Sequence, residues 1–207
     1  MSRFVKLLSK SCCQPVIFGA PMNGGINNPA FAAAVINHGG VGGFGFTYHT
    51  PELIAKDIRE TRKIGNGLIN ANFFVFDTVV SPGDTDISRA KKELQDRVGP
   101  LADTDFKIPV APYTPNLDAQ MRAICVERPE ILTFHFDIPK REYIAEAQKL
   151  GICVGVTATS TQEALLIQES GADFIVAQGV EAGGHRGMFN STWRKLHSMN
   201  QPAVEGT

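Results

Sequence analysis

A regular alternation of short apolar runs with longer amphipathic stretches constrains the fold of this chain most. Each run is rich in Val, Ile or Phe, which is typical of strands buried on both faces, and each is followed by a pattern that predicts a helix. Successive units of this kind pair in parallel through right-handed crossovers. We therefore predict an α/β fold of about six units. The predicted strands are 16–20, 41–46, 68–76, 131–136, 152–158 and 174–178.

Two architectures accommodate such units, the doubly wound sheet and the TIM-type (β/α)8 barrel. A dinucleotide-binding doubly wound sheet needs G-x-G-x-x-G on its first turn, but Gly42-Gly-Phe-Gly45 falls within the second predicted strand. Polar residues stand at the end of nearly every predicted strand, where a barrel places its working face. The sequence therefore favours a TIM-type barrel, here incomplete, with about the first six β/α units.

Composition limits the classes of partner. The chain has 20 Lys+Arg against 21 Asp+Glu, so its net charge of -1 predicts binding to neither nucleic acid nor a membrane surface. No apolar run reaches the roughly 18 residues of a membrane-spanning helix. We expect a soluble, cytoplasmic protein. Its 4 cysteines lack metal-ligand spacing, and the adjacent Cys12 and Cys13 are interpreted as reduced packing residues beside the first strand.

The sequence divides into three parts. Residues 1–14 form an N-terminal lead segment whose apolar residues are interrupted by Lys6, which favours an amphipathic piece sealing the bottom of a domain over a targeting peptide. Residues 15–190 are the predicted partial barrel, and residues 191–207 an irregular tail.

The ends of the predicted strands collect amide side chains, backbone groups left open by glycine, and imidazoles, with few charges. Such a set suits a flat heteroaromatic ligand held by hydrogen bonds at its edge, as an isoalloxazine ring is. No metal site is predicted, because no carboxylate pair accompanies His135 and His185 at a spacing typical of metal ligands. The residues are Ala20, Pro21, Met22, Asn72, His135, Gln178, Glu181, Gly183, Gly184 and His185.

Four segments that contain these residues resemble successive signatures of the nitronate monooxygenases. They are Gly19-Ala-Pro-Met22, Ala71-Asn-Phe-Phe74, Thr133-Phe-His-Phe136 and Ala177-Gln-Gly-Val-Glu-Ala-Gly-Gly-His-Arg-Gly187. The resemblance extends from about Pro15 to about Phe189, and is most specific in the last segment. His135 resembles the class I branch.

The resemblance implies an FMN cofactor and a catalytic base, His185. It also implies that the flavin ring is lined by Ala20, Pro21, Met22 and Asn72. Gln178 and Gly183 are then expected to form hydrogen bonds with the cofactor or to approach it closely, and His135 to face the substrate. Gly183 and Gly184 let the backbone approach the ring without a Cβ clash. Family members oxidise nitronates, notably propionate 3-nitronate, with O2 to carbonyl products and nitrite or nitrate. A histidine can hold the nitronate anion when protonated, or take the α-proton of a nitroalkane when neutral.

Plainer interpretations remain open for several residues. His135 can be a core histidine whose hydrogen bonds are satisfied, and Asn72 can form a hydrogen bond to a neighbouring loop. Met22 can fill a gap in the core. Glu181 can orient the loop at 179–187 that carries His185, here called the histidine loop. Two other functions also remain: a catalytically inactive truncated homologue, and a related flavin barrel reductase that uses NAD(P)H.

Family members are longer, and continue into two further strands whose glycine-rich ends bind the flavin phosphate. We therefore expect this chain to be C-terminally truncated. Open barrel edges predict self-association, since unpaired strand edges invite pairing with another chain.

Overall fold

The fold is taken from a computed structural model that describes residues 2–9, 15–76, 82–100 and 112–189. These residues belong to two compact units, one within Met1–Phe76 and Pro115–Thr207 and the other within Asp77–Thr114. In the second unit the structure describes helix α4, whose bounds are given below. The predictions for Cys12, Cys13 and the tail at 191–207 lie outside the described residues.

The first unit contains a five-stranded sheet in which all strands are parallel and lie in chain order. Strictly sequential order is that of a (β/α) barrel wall, whereas a doubly wound sheet reverses direction at a switch point. The predicted α/β fold is confirmed. The strands are β1 Gly42–Gly45, β2 Ile69–Phe74, β3 Ile131–His135, β4 Cys153–Ala158 and β5 Phe174–Ala177.

Seven helices lie in the described residues, and most begin where capping chemistry predicts. Asn28, Thr50, Asn116 and Ser160 each accept a backbone N–H of the first helical turn, and proline opens two of these helices. Helix α4 begins at Asp84, and Asp84 and Asp86 in its first turn favour the positive end of the helix dipole. The helices are α1 Arg3–Leu8, α2 Pro29–Asn37, α3 Pro51–Ile64, α4 Asp84–Val98, α5 Leu117–Glu127, α6 Arg141–Lys149 and α7 Thr161–Ser170.

The first predicted strand, at 16–20, forms only a single bridge, between Phe18 and Val41. Beyond it the chain crosses over β1, where a Cβ added to Gly43 would overlap the carbonyl oxygen of Gly19. The prediction of a full strand was wrong at this point, because glycines in β1 let the segment leave the pairing direction early.

Side chains alternate along each strand, so the sheet has a helix face and an opposite face, here called the inner face. The helix face carries the main core, in which Phe44, Phe73 and Phe134 pack with helix residues such as Ile54 and Ile58. The register places the remaining strand residues in rows across the inner face. They are Gly43, Gly45, Asn70, Asn72, Phe74, Ile131, Thr133, His135, Cys153, Gly155, Thr157, Phe174 and Val176.

Helix α1 joins the two outer parts of the sheet at its base. The Phe4 ring stacks on Phe174 of β5 at 3.7 Å and meets Phe18, which pairs beside β1, at 6.4 Å. Arg3 adds an ion pair with Asp173 at 2.9 Å. Because one side chain contacts Phe174 of β5 and also Phe18 beside β1, the sheet must curl, as a barrel wall does.

Exposed apolar residues lie on the edge strand β5 and just beyond it. Ile175 and Val176 are 38% and 39% exposed, and Val180 just beyond the strand is 91% exposed. Self-association through open barrel edges stays a prediction. Among the described residues, no helix is long and apolar enough to cross a membrane.

Candidate functional site

Two histidines that are distant in sequence meet at the carboxyl end of the sheet. His135 is the last residue of β3, and its inner-face neighbour on β2 is Phe74. The chain after β5 brings back His185, whose backbone carbonyl lies 3.1 Å from His135 Nε2. The sequence predicted this meeting, since the ends of parallel strands share one edge of a sheet.

The backbone at His185 is held by one side chain from the end of β3 and one from the residue that follows β5. The carbonyl of His185 accepts hydrogen bonds from Gln178 Nε2 at 2.9 Å and from His135 Nε2. Gln178 Oε1 in turn accepts from the Gly187 N–H at 2.7 Å. Gln178 therefore uses both ends of its amide on this loop, while the His185 residue itself is exposed.

The same contact defines the protonation of His135. A ring nitrogen that bonds a carbonyl must carry a proton, so neutral His135 has its proton on Nε2 and an open acceptor at Nδ1. Burial is the main cause that lowers the pKa of His135, against the opposing effect of its bond to the His185 carbonyl. His135 is therefore built to stay neutral near neutral pH.

We expect an NMR titration to place the pKa of His135 below the ordinary histidine value of about 6.5. Because the unfolded chain then binds the proton more readily, His135 supports folding above about pH 6.5, and this support is lost as the pH falls. Urea unfolding of His135→Gln at pH 7 and pH 5 should show a smaller loss of stability on acidification than the parent chain. An equal loss in both proteins would contradict the assignment.

Aromatic rings surround the two histidines. The Phe74 ring lies 5.7 Å from His135 and 5.8 Å from His185, and the Phe136 ring meets His185 edge-on at 5.8 Å. Phe136 has a φ of 77°, a conformation that a bulky side chain rarely adopts and that marks backbone strain. The sequence interpretation did not assign Phe74 or Phe136 to the site. The two-residue alternation that links Asn72 to Phe74 was the available signal.

Asn72 lies one row deeper on the inner face. It is 5% exposed, and its Nδ2 donates to Thr133 Oγ1 at 3.0 Å and to the Thr133 carbonyl at 3.3 Å. Thr133 Oγ1 donates onward to Asn70 Oδ1 at 3.0 Å. The Nδ2 group of Asn72 thus donates its hydrogen bonds to Thr133 of β3. Any contact with a flavin ring must therefore come from another atom of the Asn72 side chain.

Ala20, Pro21 and Met22 form an exposed segment at the β1 end of the sheet. Sheet order separates β1 from β5 by three strands, so this segment stands apart from the His185 loop along the sheet. A residue missed by the sequence interpretation secures it: Asn27, 5% exposed, donates from Nδ2 to the carbonyls of Ala20 at 2.7 Å and Gly43 at 2.6 Å.

Gly183 and Gly184 are exposed in the histidine loop and differ in what they require. Gly184 has a φ of 75°, which favours glycine for conformational reasons. Gly183 has no such φ, and a Cβ added there would meet nothing within 4 Å. Glu181 lies back against Gly179, where an added Cβ would overlap the Glu181 carboxylate.

Comparison with known proteins gives a consistent result. The family profile described as nitronate monooxygenase matches residues 6–205. A nitronate monooxygenase from Pseudomonas aeruginosa is 39% identical over 193 residues, which are 90% of this chain and 52% of that protein. One from Paraburkholderia phytofirmans is 39% identical over 180 residues, or 84% and 48%. The chain thus spans about half the length of these relatives.

Solved structures match over a similar extent. A nitroalkane oxidase from Streptomyces ansochromogenes superposes with a TM-score of 0.74 at 29% identity, covering 95% of this chain and 54% of that one. FabK from Thermotoga maritima, at 23% identity and a TM-score of 0.62 over 91% and 47% of the two chains, shows the shared fold alone.

Proposed function

Because this chain belongs to the nitronate monooxygenase family, we propose that it serves an FMN-dependent oxidation of nitronates by O2. The substrates are propionate 3-nitronate or alkyl nitronates, and the products are carbonyl compounds with nitrite or nitrate. The observation that carries the proposal is the geometry at His185. Its carbonyl is held by Gln178 and His135, and its ring, in an exposed residue, stands among phenylalanine rings.

His185 is the proposed catalytic base. With its backbone held, the exposed imidazole can take the α-proton of a neutral nitroalkane or, when protonated, hold the nitronate anion. His135 is the proposed substrate-binding residue, because its bond to the His185 carbonyl leaves Nδ1 as an acceptor. The rings of Phe74 and Phe136 offer an apolar surface beside His185, which suits an alkyl substituent.

The donor set fits a flavin ring. Gly183 has open space where a side chain would stand, and neither contacts nor φ account for glycine there, as expected if a planar ligand lies close to the backbone. Ala20, Pro21 and Met22 offer an exposed backbone edge, and Gly184, Asn72 and Gln178 complete the proposed cofactor contacts. When bound, FMN would accept electrons from the nitronate and pass them to O2.

The direct test uses the purified chain as it stands. We expect a yellow protein with the absorption bands of bound flavin after incubation with FMN, and nitrite release from propionate 3-nitronate in the presence of O2. A colourless protein that releases no nitrite would refute the enzymatic proposal and favour an inactive homologue. Rapid bleaching of bound flavin by NADPH under anaerobic conditions would instead indicate a reductase.

Gly183→Ala separates cofactor binding from folding. The added methyl meets no protein atom within 4 Å, so we expect the unfolding free energy to change by less than about 0.5 kcal/mol. If the flavin lies against this backbone, the FMN dissociation constant should rise by about tenfold or more, measured by flavin fluorescence quenching. Gly83→Ala is the control, because that position is equally open. Equal FMN affinity in both variants would remove Gly183 from the proposed cofactor site.

A further inference from the structure

Glu163, near the start of α7, has a carboxylate buried far beyond what its position explains. Its residue is 1% exposed, and it stands three positions after Ser160, whose hydroxyl accepts the Glu163 N–H as a helix cap. A glutamate at this place normally serves only the helix start. A buried carboxylate is costly unless hydrogen bonds replace its water, so its partners indicate what it stabilises.

The two carboxylate oxygens of Glu163 bind two different segments. Oε2 accepts from the Thr159 backbone N–H at 2.6 Å and from Thr159 Oγ1 at 2.8 Å, just beyond β4. Oε1 accepts from the N–H of Phe189 at 3.1 Å, four residues after His185. The second bond does nothing for the helix cap. It joins the end of β4 to the far side of the histidine loop.

Arg186 strengthens the same junction from the loop side. Its guanidinium donates to the Gly179 carbonyl at 2.9 Å and to the Thr159 carbonyl at 3.3 Å. Thr159 thus bonds Glu163 through its N–H and hydroxyl, and Arg186 through its carbonyl. The loop is held at His185 by Gln178 and His135, and at Phe189 by Glu163.

We propose that Glu163 is a positioning residue for His185, acting through Thr159 and the Phe189 backbone. The link to catalysis rests on the proposed function, whereas the link to loop geometry does not. Charge-assisted bonds to a carboxylate are stronger than neutral ones, so a single buried group can fix the downstream end of the loop. The imidazole then projects from a backbone that is immobilised on both sides.

Glu163→Gln tests this role with little change of shape. An amide has one acceptor oxygen and one NH2 donor, whereas Thr159 and Phe189 present backbone N–H donors to different oxygens. The NH2 group must therefore face a donor, and one of the two bonds is lost. Glu142→Gln is the matched control, because Glu142 also lies in the first turn of a helix, α6, but is exposed.

We expect Glu163→Gln to shift and broaden the NMR signal of the His185 Cε1–H and to speed amide exchange at Phe189 by about tenfold or more. Nitronate turnover should fall by about 10- to 100-fold, with FMN affinity within about twofold of the parent, as for a misplaced catalytic group. Glu142→Gln should change none of these. The NMR and exchange measurements need no activity.

A folded Glu163→Gln protein with an unchanged His185 signal and unchanged Phe189 exchange would overturn the proposal. If that variant does not fold, Thr159→Val removes only the hydroxyl bond, and should give smaller changes in the same direction. Absence of any change in Thr159→Val would then count against it. If His185→Asn keeps its turnover while Glu163→Gln still changes the His185 signal and the Phe189 exchange, the proposed function fails and the positioning of the loop by Glu163 stands.

Discussion

Replacing His185 with asparagine is expected to lower the rate of nitrite release by about 10²- to 10⁴-fold, the range of a lost general base. The residue is exposed, and its carbonyl, not its ring, receives the bonds from Gln178 and His135. The loop should therefore keep its shape, and FMN affinity and the unfolding midpoint should stay close to those of the parent. Steady-state oxygen consumption and nitrite assays measure the change.

His38→Asn is the control for this substitution. His38 lies at the end of α2, where its Nδ1 contacts the Ala34 carbonyl at 2.8 Å, and it has no part in the proposed site. We expect the control to retain the parent rate. Full activity in His185→Asn would assign proton transfer to another group, and the site would need to be rebuilt around it.

Gly187→Ala should be the most damaging single methyl in the histidine loop. The added Cβ would lie 2.5 Å from His135 Cε1 and 2.9 Å from Thr157 Cγ2, in a buried place where His135 is also held by its bond to the loop. Overpacking of this kind costs about 1–3 kcal/mol of unfolding free energy. Nitronate turnover should fall by about 100-fold, because the clash moves both histidines.

A double-mutant cycle identifies the clash as the cause. In the Gly187→Ala background, His135→Ala removes the ring that the methyl meets, so the loss of stability should be largely relieved, as measured by urea unfolding. Turnover should not recover, since the proposed substrate-binding residue is then absent. Additive losses of stability in the double variant would contradict the close approach of Gly187 to His135.

Much of the fold follows from local patterns. Alternating apolar runs and capped helices predict five of the strands and their parallel order, because each helix must return the chain to the same edge. The segment at 16–20 escapes this logic. Gly43 and Gly45 of the neighbouring β1 carry no side chains, so the backbone of this segment can cross over β1 and does not continue to pair along it.

The site divides in the same way. The convergence of His135, Gln178 and the His185 loop follows from their places at strand ends, which the sequence displays. Glu163, Asn27 and Phe136 were out of reach, because their roles depend on the path of loops that return from distant positions. A buried carboxylate at a helix start has the same sequence signature whether it caps one helix or also secures a second segment.

The contact of Phe4 with both Phe18 and Phe174 has a mechanical consequence for the opposite rim. When the two outer parts of a curled sheet are held together at its base, the distance between them at the base sets the distance between the ends of the outer strands at the opposite rim. The width between the Ala20 segment and the His185 loop is then governed from the far end of the strands. Loss of the Phe4 contacts, by Phe4→Ala for example, should increase the distance between the Ala20 segment and the His185 loop without a change to any residue of either.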